Sequence, residues 1–145
     1  MIFFSSDLEL ELNNNTIMNN LIVDAARDKI FLTIIVDKNI YTCSHENCKI
    51  NFEKLMILIN EFLQNNKSSL DSIDAIYVNR GPGSFAGIRN SLSTIKALFL
   101  TKKIDYYCFS FQDFKESGTT KYEDVPQLCE KYKIKKNLIN PIYLS

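Results

Sequence analysis

The chain has 145 residues, 46% of them hydrophobic and 23% charged, with 17 basic and 17 acidic residues and no formal net charge. That length suits one domain with one core. The composition is that of a globular chain, and with no basic excess it gives no sign of nucleic-acid binding by the chain as a whole. No apolar run approaches the roughly 20 residues needed to cross a bilayer. Residues 1–20 lack the basic and apolar regions of a signal peptide. The expected location is the cytoplasm, where Cys43, Cys48, Cys108 and Cys129 stand as reduced thiols.

In chain order, residues 1–17 read as an appendage. Positions 7–12 alternate Asp/Glu with Leu as a strand does, but Asn13-Asn14-Asn15 cuts the pattern off, and Met18 is an alternative start directly before the first strand. Residues 21–24 form that short strand, and 27–29 a turn. Residues 30–36 form a β-branched strand, 37–39 a hairpin turn, and 40–43 a third strand that 49–50 could resume. Cys43, His45 and Cys48 lie within six residues. Their spacing is not C-x-x-C and no second cysteine pair follows, so no metal site is expected.

A helix is predicted over 52–64, where Phe52, Leu55, Met56, Ile59, Phe62 and Leu63 recur at three- and four-residue steps. Ile57 and Leu58 lie off that stripe, so the helix is apolar around more of its circumference than one core contact requires. A fourth strand is predicted over 72–78. A second helix follows over 84–101, with a core stripe of Phe85, Ile88, Leu92, Ile95, Leu98 and Phe99. Gly87, Ser91, Thr94 and Ala97 form a second stripe of small residues, which either admits another helix or packs on the sheet. A fifth strand covers 105–110, and 111–115 begins a helix. Residues 117–120 form a linker, 124–133 a short helix and 140–145 an extended end.

The order β-β-β-α-β-α-β-α predicts an α/β fold: a single ribonuclease-H-like lobe, as in the actin-like ATPase superfamily, with a mixed five-stranded sheet and flanking helices. The lobe spans 18–116, and 117–145 are a linker and tail.

Between the fourth strand and the second helix stands Asn79-Arg80-Gly81-Pro82-Gly83-Ser84-Phe85-Ala86-Gly87-Ile88-Arg89. Two glycines around a proline force a sharp turn of fixed geometry, placed at the C-terminal end of a strand, where α/β sheets build their sites. Gly81-x-Gly83-x-x-x-Gly87 is a poor dinucleotide fingerprint, because Pro82 removes a backbone donor and no acidic strand end follows at ribose distance. No P-loop, Ser-His-Asp set or pair of carboxylates at a strand end is present, and no catalytic, cofactor-binding or metal-binding residue can be named.

Residues 81–89 closely resemble the G-P-G-S-F-T-G-L-R signature of the TsaB (YeaZ) family, differing only at Ala86 and Ile88. The motif residues are Gly81, Pro82, Gly83, Ser84, Phe85, Gly87 and Arg89. The resemblance extends over about 21–114. Residues 21–26 resemble the family's opening strand, usually ending D-T-S. Residues 51–55 stand where the family often has H-S-E-x-L, and 141–145 resemble its closing P-x-Y-L-R. There are departures. Ala25-Ala26 lacks the hydroxyls of the D-T-S loop, Asn51 replaces a histidine, and 117–140 is too short for the second, smaller lobe, of which the tail would be a vestige.

The resemblance implies a non-catalytic partner subunit in the biosynthesis of N6-threonylcarbamoyladenosine at position 37 of tRNA. It would bind and support the catalytic subunit TsaD as a heterodimer. TsaC would make the activated donor, TsaE would be the ATPase and a further partner, a homodimer is an option, and tRNA would be met only through the complex. The implied interface lies on the two helices: Leu55, Met56, Ile57, Ile59, Gly87, Ser91 and Thr94. The alternatives are a glycoprotease-like peptidase and a degenerate paralogue that only self-associates. No cofactor and no membrane contact are expected.

Overall fold

A computed structural model describes residues 18–143, so the alternating stretch 7–12, Met1 and the last two residues lie outside the described part. Five strands form one sheet in the order β3-β2-β1-β4-β5. They are β1 Asn20–Asp24, β2 Lys29–Val36, β3 Asn39–Glu46, β4 Ala75–Asn79 and β5 Asp105–Phe109. β1, β2 and β3 form an antiparallel meander, with Val23 opposite Leu32 and Leu32 opposite Cys43. β4 lies parallel to β1, and β5 parallel to β4. Asp37 and Lys38 close the β2–β3 hairpin with φ of 50° and 74°, the two positive values that match a hairpin turn to strand twist. This is the predicted ribonuclease-H-like arrangement.

Among the described residues four helices flank the sheet: α1 Lys49–Glu53, α2 Leu55–Asn65, α3 Phe85–Lys102 and α4 Val125–Lys131. Alternation along the strands divides the core into two layers. Leu21, Val23, Ile76 and Val78 face α1, α2 and α3, and meet Phe52, Leu55, Ile59, Ile88, Leu92 and Ile95. Ile22, Ala75, Tyr77 and Phe109 face the other way and meet Phe114, Val125, Leu128 and Cys129. Residues expected to be a tail therefore cover the second face of the same sheet. Among the described residues no helix is long and apolar enough to cross a membrane.

Several boundaries move. Lys49 and Ile50 belong to α1, not to a resumed third strand. The chain turns at Asn47, whose amide bonds the Arg27 carbonyl, and Asn51 Nδ2 bonds the Glu46 carbonyl at 2.8 Å. The predicted helix 52–64 is two helices that meet at Lys54, whose ψ of 24° departs from helical values. The fourth strand starts at Ala75 because Leu70–Ser72 wind into a 3₁₀ turn closed by Ser69 and Ser72. Phe111–Asp113 is a single 3₁₀ turn and not the start of a helix. Its Asp113 carboxylate accepts from the Ser110 N–H at 2.8 Å and is also held by Arg80, which stops propagation.

Candidate functional site

The corner after β4 is built by close backbone approach. Asn79 is buried, and its Oδ1 accepts from the Gly81 N–H at 2.9 Å. Gly81 adopts φ +110°, reserved for glycine, and its peptide bond to Pro82 is cis. A Cβ at Gly81 would lie 2.1 Å from the Ile142 carbonyl oxygen, at Gly83 2.0 Å from that of Ala26, and at Gly87 1.8 Å from that of Ala25. All three glycines therefore let backbone touch backbone. The Ser84 N–H donates to the Ala26 carbonyl at 2.9 Å, and Ser84 Oγ caps α3 by accepting from the Gly87 N–H at 3.2 Å. The motif thus joins the β1–β2 turn to the start of α3.

Asp24, at the end of β1, is wholly buried. One carboxylate oxygen accepts from the Ala26 N–H at 3.0 Å, and the other accepts from the Tyr122 hydroxyl at 2.6 Å and lies 3.4 Å from Arg27 Nε. The Arg27 guanidinium sits 4.7 Å from the centre of the Phe111 ring and 5.7 Å from that of Tyr122. Burial, reinforced by the Asp24 charge, pushes the Tyr122 hydroxyl far above the ordinary tyrosine range, so it stays a donor. Where the D-T-S pattern would offer hydroxyls, this turn offers alanines, and the Ala26 carbonyl is already taken by the Ser84 N–H.

Arg80 secures the corner from the other side. Its guanidinium grips Asp113 with both arms, Nη2 to Oδ1 at 2.7 Å and Nε to Oδ2 at 3.3 Å, and Nη1 donates to the Asn140 carbonyl at 3.1 Å. The Ile142 N–H donates to the Arg80 carbonyl at 2.7 Å, and the exposed Phe85 ring rests on Tyr143 with centroids 4.7 Å apart. Arg27, Asn79, Arg80, Asp113 and Tyr122 were not singled out as contacts by sequence reasoning. Their partners lie up to 98 positions away, and no local pattern announces them.

The helix residues separate into two groups. Leu55, Ile59, Gly87 and Ser91 are buried within the lobe and are not available to a partner. Leu55 and Ile59 point into the sheet layer, Gly87 is pressed between the Ala25 carbonyl and the Phe52 ring, and Ser91 Oγ bonds the Ile88 carbonyl at 3.1 Å. Leu58, read as lying off the core stripe, is also buried. Met56 and Thr94 are half-buried, whereas Ile57 is 56% exposed and Ile50 69% exposed. Pro82, Gly83 and Ser84 are half-buried and Arg89 is exposed. Arg89 lines a groove of about 670 Å³ between α1 and α3, with Lys49, Phe52, Glu53 and Asn90.

Cys43 Sγ and His45 Nε2 lie 3.7 Å apart on the edge strand, and no group of three metal-ligating side chains comes together among the described residues. Burial raises the thiol of Cys108 to about 11 and that of Cys129 to about 12.

Residues 50–110 match the family model described as "TsaD: tRNA N6-adenosine threonylcarbamoyltransferase". A protein of Buchnera aphidicola subsp. Schizaphis graminum named "tRNA threonylcarbamoyladenosine biosynthesis protein TsaB" is 33% identical over 91 residues, 62% of this chain and 43% of that protein. Its counterpart of the same name from Buchnera aphidicola subsp. Baizongia pistaciae is 34% identical over 77 residues, 44% of this chain and 35% of that protein. Among solved structures, "YeaZ from Pseudomonas aeruginosa" superposes with a TM-score of 0.59 at 18% identity, covering 64% of this chain and 44% of that one. A second structure, of "an uncharacterized protein with similarity to peptidase YEAZ from Pseudomonas aeruginosa", gives a TM-score of 0.60 at 18% identity, covering 64% of this chain and 43% of that one. These two likenesses establish the fold. The chain spans less than half the length of each of these relatives. Across the part of the chain that these matches cover, the sequence is similar to proteins named TsaB and the fold is that of the YeaZ structures.

Proposed function

We propose that the chain is a non-catalytic partner subunit in the formation of N6-threonylcarbamoyladenosine on tRNA, supporting the catalytic subunit TsaD. The observation that carries this reading is the corner itself. Its glycines and its Ser84 cap hold α3 against the β1–β2 turn and α1, the Arg80–Asp113 grip ties the corner to the turn after β5, and the Ser84 hydroxyl and Asp113 carboxylate are engaged in these contacts. A rigid corner of this kind serves to hold a helical surface in one geometry. On these helices Ile57 and Ile50 are exposed while Met56 and Thr94 are half-buried, and exposed apolar side chains of this kind are a common mark of a partner site. The names of the curated relatives supply the pathway.

The test is to mix the purified chain with TsaD and follow complex formation by calorimetry and size-exclusion chromatography. A stable complex that Ile57→Glu abolishes, with the variant still folded by circular dichroism, is the expected result. Unchanged affinity in a folded Ile57→Glu protein places the contact elsewhere, and the absence of any complex with TsaD overturns the reading.

A further inference from the structure

The net charge of zero conceals a local excess. Lys131, Lys133, Lys135 and Lys136 occupy four of the six positions 131–136, which begin at the last residue of α4, with no acidic residue among them. Lys131 is paired with Glu116 at 2.9 Å and Lys136 with Asp105 at 3.7 Å, and both lysines are more than half exposed. Such pairs are weak and yield readily to a competing anion. Lys133 and Lys135 are exposed and in no ion pair with a described residue. Both line a cavity of about 320 Å³ beside Arg80 and Asn140.

Lys133 and Ile134 are shared with a second cavity of about 460 Å³, bounded by Met18, Pro126, Cys129 and Glu130. Its wall includes Tyr77 and Tyr107, stacked with centroids 4.9 Å apart and planes within 10° of parallel. Tyr77 is buried and Tyr107 is half-buried beside it. Burial raises the Tyr77 hydroxyl well above its ordinary range, so it is a neutral donor at all ordinary pH. Tyr107 is tied to the lysine run through the backbone, where it bridges Lys136. This surface belongs to the α4 side of the sheet, away from Ile57 and the outward side of α2.

We propose that this surface is a contact for single-stranded RNA, with Lys133 and Lys135 on phosphates and Tyr107 offering a ring on which a base stacks. The inference rests on the reading of the chain as a tRNA-modification subunit, and replaces the expectation that tRNA is met only through the catalytic partner. Cations that track a phosphate backbone next to an aromatic stacking surface are the recurring elements of single-strand binding. An acidic peptide would satisfy the lysines and leave the stacked rings without a role. Glu130 is the carboxylate lining the tyrosine cavity, and it opposes the lysines.

The probe is a fluorescently labelled anticodon stem-loop RNA, whose loop is single-stranded. Anisotropy is read with the full chain at several salt concentrations, and TsaD binding is measured in parallel on the same proteins. Lys133→Glu with Lys135→Glu is expected to weaken RNA binding by about tenfold or more. It should also flatten the salt dependence, by roughly 0.7 in log–log slope for each lost phosphate contact. Tyr107→Leu is expected to weaken binding several-fold with little change of slope, and Tyr107→Phe, which keeps the ring, to restore it. Lys96→Glu with Lys102→Glu, both exposed on α3, makes the same change of net charge and should bind as the wild type does. The inference is overturned if the wild-type chain binds no RNA at low salt, if the Lys133→Glu with Lys135→Glu variant binds as tightly as the wild type, or if Lys96→Glu with Lys102→Glu weakens binding equally. It is also overturned if the Lys133→Glu with Lys135→Glu variant keeps RNA and loses TsaD, since the lysines then serve a protein. RNA binding lost with TsaD binding intact supports it. A chain that binds RNA but never TsaD sinks the partner-subunit reading and leaves this surface standing.

Discussion

The two faces of the sheet are assembled by different means. The face covered by α1, α2 and α3 is held by aliphatic side chains at helical spacing and by a corner in which glycine backbone meets alanine backbone. The face covered by α4 is held by aromatic rings, Phe109 with Phe111 and Phe114, Phe114 with Tyr132, and Phe111 with Tyr122. To these it adds polar ties between distant segments, Tyr122 to Asp24 and Arg80 to Asp113. The first face is intolerant of added volume at its glycine corner. The second is intolerant of removed volume in its aromatic cluster.

The sharpest way to break this contrast is to add atoms at the corner. Gly87→Val places a side chain where a Cβ alone would lie 1.8 Å from the Ala25 carbonyl oxygen, and backbone cannot yield as a side-chain tip does. A destabilisation above about 4 kcal/mol is expected, read by urea unfolding, with failure to fold as the extreme. Gly118→Ala serves as the contrast. It meets nothing within 4 Å but must hold φ +89°, so the loss should be about 1 kcal/mol.

The aromatic face should instead respond to deletion. Phe109 is fully buried against Phe111 and Phe114, and Phe109→Ala is expected to cost about 3–5 kcal/mol in the same assay. A loss under about 1 kcal/mol would show that this face is loosely packed and that the two layers do not cooperate.

A smaller effect tests the polar ties. Tyr122→Phe removes the donor to a buried carboxylate and should cost about 1–3 kcal/mol at neutral pH. The pH dependence then separates the two faces further. Burial raises the folded-state pKa of Tyr77, Tyr122, Cys108 and Cys129 above their ordinary values. A raised pKa means that the unfolded chain releases its proton first as pH rises. The stability these groups contribute is complete below about pH 9 and lost progressively above it, first through the thiols and then through the phenols. Three of the four, Tyr77, Tyr122 and Cys129, belong to the α4 face. Alkaline denaturation between about pH 9 and 12 should therefore be less steep in Cys129→Ala and in Tyr122→Phe than in the wild type. Identical pH profiles would show that burial of these groups has no part in alkaline sensitivity.

The smallest stability effect is expected at the outward side of α2. Ile57→Glu exchanges a side chain that is 56% exposed and should shift stability by no more than about 0.5 kcal/mol. Its signature is loss of TsaD binding without loss of fold. A large destabilisation would mean that Ile57 packs within the lobe.

How far the sequence could be read follows the same division. Alternation over 30–36, the three- and four-residue spacing over 52–64 and 85–99, and Gly-Pro-Gly at a strand end are short-range signals. They sufficed for the element order, the mixed sheet and the family resemblance. The side of each helix that faces outward was less legible. Ile57 and Leu58 are adjacent and equally apolar, yet only Leu58 is buried. Ser91 and Thr94 share a stripe of small residues, yet only Ser91 is fully enclosed. A helix that is apolar around most of its circumference has no phase to read, and the packing partner decides it.

From the sequence alone came the ribonuclease-H-like order, the corner as the special feature and the family it resembles, because hydrophobic period and glycine–proline backbone limits act within a few residues. Only the tertiary structure decided that residues 125–131 close the second face, and that Tyr122 reaches Asp24 and Asp113 reaches Arg80. It also decided that Lys133 comes to stand beside the stacked tyrosines, with Lys135 in the adjoining cavity. Such contacts join segments tens of residues apart, and their residues are ordinary in their own neighbourhoods until the sheet brings them together.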